Sequence, residues 1–422
     1  MKKFLMPIVF LFAHTVARAQ DVDVDDPYGD KPVELRMKFS WDFNHPDVIS
    51  RGNITDASLF VADAMSHGLY YGLRSAIDSR PARVAITIPY LIFGPRLVRS
   101  FRVWNHEEGH LQVWDRLPGI DHDDFTFVDE DADRTNIANP WETFRAITTG
   151  FNDDASVSLE SAAWQSVEKD PKLKPHLETI DIVMEAGGLN QDQYTLEQIQ
   201  RRILRGEEHI LNSVFWMGYL YSTLGYQTGH PNGDIDDYLD GLGRRGINSS
   251  VDDVKNVQWL KYLSGSSAMM LGGFCSWLSQ GKPIVSRDDY FLPFPIPEWS
   301  SYLTTRGPTI KAWTLQEVRG GFWIEPSYQL PLDDAKSEEY GLRLNLVRTW
   351  YDAVLAGYVN RSGGNWFDGE FTIKPLPFLD IGLGISHGHG FTYEREIRGK
   401  TFDFLKENEL DLKGMISVRC EF

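Results

Sequence analysis

Polar and apolar residues alternate strictly from Val33 to Phe43. Val33, Leu35, Met37, Phe39, Trp41 and Phe43 are apolar, and every residue between them is polar. A period of two over eleven residues predicts a half-buried strand. From residue 51 to about 300 the period lengthens. Leu59, Ala62, Met65, Leu69 and Leu73 recur at helical spacing, and so do Ile199, Ile203, Ile210, Val214 and Met217. Asn and Asp stand where helices can start, as in "FNDDAS" and "LNQDQY". The stretch 259–278 is nearly apolar and rich in small residues, which predicts a buried core helix rather than a membrane span. "PFPIPEWSS" at 293–301 reads as a proline-rich connector.

Beyond the connector the period returns to two. Leu342, Leu344 and Leu346 alternate with Arg343 and Asn345, and Leu379, Ile381, Leu383 and Ile385 with Asp380, Gly382, Gly384 and Ser386. Strands are expected near 33–43, 310–318, 320–332, 340–350, 351–361, 365–374, 378–388 and 410–422, with 391–405 as a substitute for 310–318. The last runs in period two to Phe422, which resembles the C-terminal strand of bacterial outer-membrane barrels. Strand length and bulky apolar faces suit the same class. The expected fold is therefore α+β and multidomain. Residues 20–50 form a leader and first strand, 51–300 a mostly helical domain, and 301–422 an antiparallel barrel of about eight strands. Strand 33–43 would close the barrel against 410–422 and leave no edge, placing the helical insertion on the outer face.

The first nineteen residues read as a secretory signal peptide. Lys2 and Lys3 precede a short apolar run, and Ala17-Arg18-Ala19 supplies the cleavage motif. The net charge of −18 argues against nucleic acid as a partner. Two cysteines in 422 residues exclude a disulfide scaffold. No phosphate-binding loop, dinucleotide fingerprint or nucleophile elbow occurs.

One motif carries chemistry. Residues 102–114 read "RVWNHEEGHLQVW", in which His106 and His110 are four apart. On a helix both imidazoles face one side and can share a metal ion, with Glu107 placed to take a proton from a water there. The stretch resembles the zincin superfamily of zinc metallopeptidases. Glu108 and Gln112 depart from the usual pattern, which favours an uncharged residue and a hydrophobe at those positions. The resemblance implies Zn2+, a peptide or protein substrate, and Glu107 as general base. It also implies a third ligand, an acidic residue from a later helix, because the metzincin continuation is absent. Segment 147–164 offers Asp154 and Glu160, on a helix that Asn152 would cap, and Asp154 is preferred. "GLNQD" echoes "GFNDD" and reads as a second cap, with Asp192 as a reserve ligand. His122, His209 and the pair His387 and His389 read as surface or packed residues. The combined expectation is an exported zinc peptidase anchored in the outer-membrane lipid. The alternatives are a non-enzymatic outer-membrane binding protein with a vestigial motif and a soluble periplasmic peptidase with a β accessory domain.

Overall fold

The computed structural model describes residues 34–43, 51–73, 77, 79–114, 116–117, 120, 125–129, 134–136, 155–159, 161–226, 233–290, 292, 295–333, 337–389, 391–397 and 410–421. The signal-peptide region, Phe422, His122, Asp154 and Glu160 lie outside these residues.

The chain is α+β. Strand β1 (Glu34–Asp42) is followed by helices α1 (Arg51–Leu73), α2 (Arg80–Leu97) and α3 (Arg99–Trp114). A small sheet comprises β2 (Phe125–Asp129), β3 (Arg134–Asn136) and β4 (Ala155–Leu159). Seven helices follow: α4 (Ser161–Lys169), α5 (Leu177–Glu185), α6 (Gly187–Arg205), α7 (Ser213–Gly225), α8 (Asp234–Arg244), α9 (Val251–Asn256) and α10 (Gly265–Gln280). Strands β5 (Glu298–Thr304), β6 (Gly307–Trp313), β7 (Gln316–Arg319), β8 (Phe322–Pro331), β9 (Glu339–Val347), β10 (Tyr351–Asn360), β11 (Asn365–Leu376) and β12 (Leu379–His389) come next. Short helix α11 (Tyr393–Ile397) precedes β13 (Leu410–Glu421).

The large sheet has ten strands, in the order β1-β13-β12-β11-β10-β9-β8-β6-β5, with β7 also on β8. Strand β1 does pair antiparallel with β13, from Glu34 opposite Glu421 to Asp42 opposite Lys413. The sheet is not closed, however, so the expectation of an eight-stranded barrel without edges is corrected. The connector read at 293–301 hides β5, whose residues are buried on both faces and lack a period of two. At the β1 edge, Asn53 on α1 imitates a neighbouring strand. Its Oδ1 accepts from the Ser40 N–H at 2.7 Å and its Nδ2 donates to the Ser40 carbonyl at 2.6 Å.

Burial on this sheet is inverted. Strand β12 alternates without a break, and its buried positions are Asp380, Gly382, Gly384, Ser386 and Gly388. Its exposed positions include Ile381, Leu383 and Ile385. Strands β10, β11 and β13 follow suit: Leu355, Val359, Phe367, Phe371, Leu412 and Val418 face outward, and Asp368, Asp411, Ser417 and Arg419 are buried. The charged face is concave. Lys38 on β1 meets Glu370 on β11 at 3.6 Å, three strand spacings away. In a flat sheet that separation is about 14 Å, so the strands must curl around their charges. Asp380, fully buried, is held between Arg36 at 2.9 Å and Arg419 at 2.8 Å.

Helices α1 and α6 stand against the concave side and carry charges into it. Arg201 makes a bidentate pair with Glu325 on β8 at 2.9 and 2.7 Å, and also binds Glu197 one turn back at 3.0 Å. Lys311 on β6 lies between Glu197 at 3.2 Å and Glu394 on α11 at 3.1 Å. Each of these five buried charges has a partner of opposite sign, which offsets the cost of burial.

Two helix readings change. Residues 259–278 do not form one helix, because Ser264 accepts from the Ser267 N–H and starts α10 afresh after a tight 3-10 turn at Val257–Leu263. The helix expected from Asn152 is replaced over 155–159 by β4, and α4 starts only at Ser161. Among the described residues, no helix is long and apolar enough to cross a membrane.

Candidate metal centre

Helix α3 turns His106 and His110 to the same side, toward the first residue of α8. His106 Nε2 lies 2.8 Å from Asp234 Oδ2, His110 Nε2 lies 3.2 Å from the same oxygen, and the two nitrogens are 3.3 Å apart. Ligands about 2.05 Å from a tetrahedral zinc ion would be separated by about 3.3 Å. The three atoms thus fit one ion, and a tetrahedral ion keeps a fourth position for a water or substrate oxygen. Among the described residues, these are the three His, Cys, Asp or Glu side chains that converge in this way.

The outer nitrogens fix the rings. His106 Nδ1 donates to Asp192 Oδ2 at 3.3 Å, and His110 Nδ1 donates to the Met184 carbonyl at 2.7 Å. Both Nε2 atoms are thereby turned to the centre, the arrangement that orients metal-bound imidazoles. Behind Asp192 stands Asn105, fully buried. Its Nδ2 donates to Asp192 Oδ1 at 3.0 Å, and its Oδ1 accepts from Ser58, Thr195 and Gln191 at 3.1, 3.1 and 3.3 Å. The asparagine before the motif therefore holds the carboxylate that holds His106.

Close helix packing makes this geometry accessible. A Cβ on Gly109 would stand 2.6 Å from the Gly187 carbonyl oxygen, and a Cβ on Gly187 would stand 2.7 Å from that of Gly109. A Cβ on Gly188 would strike the Nε2 atoms of both histidines. Replacing Gly188 with alanine should therefore weaken metal binding more than helix content. Overpacking of about 1–3 kcal/mol corresponds to at least a roughly fivefold loss of affinity, measurable by competition with a chelating dye alongside circular dichroism.

Electrostatics favour a cation here. Burial alone would pull both histidines down. Hydrogen bonds and charge from Asp192 and Asp234 outweigh it and raise His106 well above its ordinary value. Asp234 likewise raises His110 to about 9. Burial would raise the Asp234 carboxyl, but the two histidines hold it far below the usual range. Burial lifts neighbouring Glu185 to about 8. Glu107 is buried and acts electrostatically on His110 and on Tyr226. The ring of Tyr226 stacks on His106 with centroids 5.9 Å apart. The off-pattern Glu108 is buried and accepts from Trp104 Nε1 at 3.2 Å, one turn back.

The structure brings His106 and His110 together, with Glu107 between them in sequence. Asp154 and Glu160 lie outside the described residues, and the described carboxylate at the centre is Asp234. Asp192 touches the outer nitrogen of His106. The capping reading of "LNQD" is corrected, because α6 starts at Gly187 and both residues lie inside it. Asn190 instead exchanges two hydrogen bonds with the Leu303 backbone, at 2.7 and 2.8 Å. Sequence reasoning passed over Asp234, although it opens an acidic helix start with Asp236 and Asp237, followed by the apolar stripe Ile235, Tyr238 and Leu242. His209 is packed and buried, its Nδ1 accepting from the Leu211 N–H at 3.1 Å. No protein-family model, curated protein or solved structure matches this chain.

Proposed function

We propose that the chain is an exported, zinc-dependent peptidase anchored in a bacterial outer membrane. The observation that carries the catalytic half is the convergence of His106, His110 and Asp234, with both outer imidazole nitrogens already engaged. Zinc bound there would lower the pKa of a water and polarise the substrate carbonyl. Glu107 takes the proton from the attacking water and returns it to the leaving amine. Tyr226, beside His106 and Asp234, offers a hydroxyl at the edge of the centre. Asp192 and Asn105 keep the first imidazole in register.

The anchoring half rests on the inverted sheet. A charged concave face and an apolar convex face are what a membrane barrel presents to its interior and to lipid. From Phe367 to Leu376 the apolar outward residues of β11 extend about 30 Å, enough to cross a hydrocarbon core when tilted. In this reading the curled sheet forms most of a barrel wall, and α1 and α6 fill the gap between its edges.

Two measurements test the halves separately. The purified protein should contain about one zinc per chain by mass spectrometry and lose peptide hydrolysis on chelation. Absence of bound metal would favour the non-enzymatic binding protein. After cell fractionation the chain should enter detergent extracts of the outer membrane. Recovery in the soluble periplasm would make it a peptidase with a β accessory domain.

A further inference from the structure

We infer that the metal centre stands at the outer rim of the membrane belt, so that its substrates are polypeptides outside the cell and not those of the periplasm. This deepens the membrane-anchored peptidase reading and rests on it. The two ends of the large sheet differ in how its strands are joined. At one end Glu34 of β1 lies opposite Glu421 of β13. The joins there are short, residues 320–321, 348–350 and 377–378. At the other end only 305–306 is as short. Joins 332–338, 361–364 and 390–409 are longer, and β1 leaves there into the helices. Outer-membrane barrels have short turns on the periplasmic side and longer connections outside, which turns the second end outward. Exposed aromatic side chains mark both rims of the apolar face, Trp350 and Phe378 at the first end and Phe43, Tyr340 and Phe367 at the second, as at the two interfaces of a bilayer.

The insertion of the helices after β1 does not by itself give the level of the centre, because α6 runs the height of the hollow. Contacts with the sheet do. At the C-terminal end of α6, Arg205 lies over Trp323, 5.7 Å from the ring centroid and beside the short turn 320–321. One turn back, Arg201 pairs with Glu325. At the N-terminal end Gly188 stands against both histidines. Asn190, two residues further on, exchanges its two hydrogen bonds with Leu303, next to the 305–306 turn at the opposite end. Helix α8 gives the same level. Asp234 is its first residue, and Tyr238 one turn on donates to the Thr304 carbonyl at 2.9 Å and accepts from the Thr304 N–H at 3.1 Å. Both helices thus hold the centre at the end with the longer joins. The apolar belt lies between that end and the periplasm, and a hydrated polypeptide backbone does not cross it unaided.

The test uses the wild-type full-length chain in intact cells and fluorescein-labelled casein, which is too large for outer-membrane pores. Intact cells should cleave it at the rate seen after lysis, and cells carrying Glu107→Gln about a hundredfold more slowly. Hydrolysis that appears only on lysis overturns the inference. Labelling reads the orientation without activity. In a chain with Cys275→Ser and Cys420→Ser, cysteines are placed at two exposed turn positions. Ser362→Cys, between β10 and β11, should react in intact cells with a maleimide too bulky for the pores. Thr349→Cys, between β9 and β10, should react only after lysis. The reverse pattern, equal labelling, or no labelling of intact cells overturns the inference as well. Recovery of the wild-type chain in the soluble periplasm overturns it together with the membrane reading. The expected labelling without hydrolysis before or after lysis sinks the peptidase reading and leaves the orientation standing.

Discussion

Glu107→Gln should keep its zinc and lose peptide hydrolysis by about 10²- to 10⁴-fold, the usual contribution of a positioned general base. The amide is nearly isosteric with the carboxylate but cannot take a proton from water. Glu107 is buried on the ligand-bearing helix, between His106 and His110 in sequence and within electrostatic reach of His110. The proposed ligands, by contrast, are His106, His110 and Asp234, whose geometry does not pass through Glu107. Stoichiometric zinc together with undiminished hydrolysis in this variant would remove Glu107 from the mechanism. Zinc lost along with activity would make the residue structural.

The second large effect separates three carboxylates. Asp234→Ala should abolish stoichiometric zinc, whereas Asp154→Ala and Glu160→Ala should retain it. Loss of an outer partner costs about 10- to 100-fold in affinity, and loss of one of three ligands should exceed that. Zinc content by mass spectrometry after dialysis against a weak chelator reads the difference. Retention by Asp234→Ala with loss in either other variant would return the third ligand to segment 147–164.

The difference between sequence and structure has a physical origin at each place. His106, Glu107 and His110 were legible because a helix fixes the relation of residues four apart, and no tertiary knowledge is needed. Asp234 is 124 residues beyond His110 in sequence. Its position depends on how α8 packs against α5, and an acidic residue in a first helical turn carries the same signal whether or not it reaches a metal. The glycines at 187 and 188 were silent for the same reason, since their value lies in a contact between two helices. The strands from 320 onward were legible because one face meets charge and the other meets no protein. Strand β5 was not, because both its faces are buried and its alternation is erased. The count of strands failed there, and with it the closed barrel.

Helix α6 holds Gly188 and Asp192 at the metal centre and Glu197 and Arg201 in the charged hollow of the sheet. Five residues separate Asp192 from Glu197, less than two turns of a stiff rod. Until the strands carrying Glu325 and Lys311 are in place, Glu197 and Arg201 have only each other as partners among these four charges. Assembly of the sheet and geometry of the centre thus bear on one helix. If the chain is the peptidase proposed above, one with its strands unpaired is expected to be catalytically silent, so the fold itself would time the onset of proteolysis.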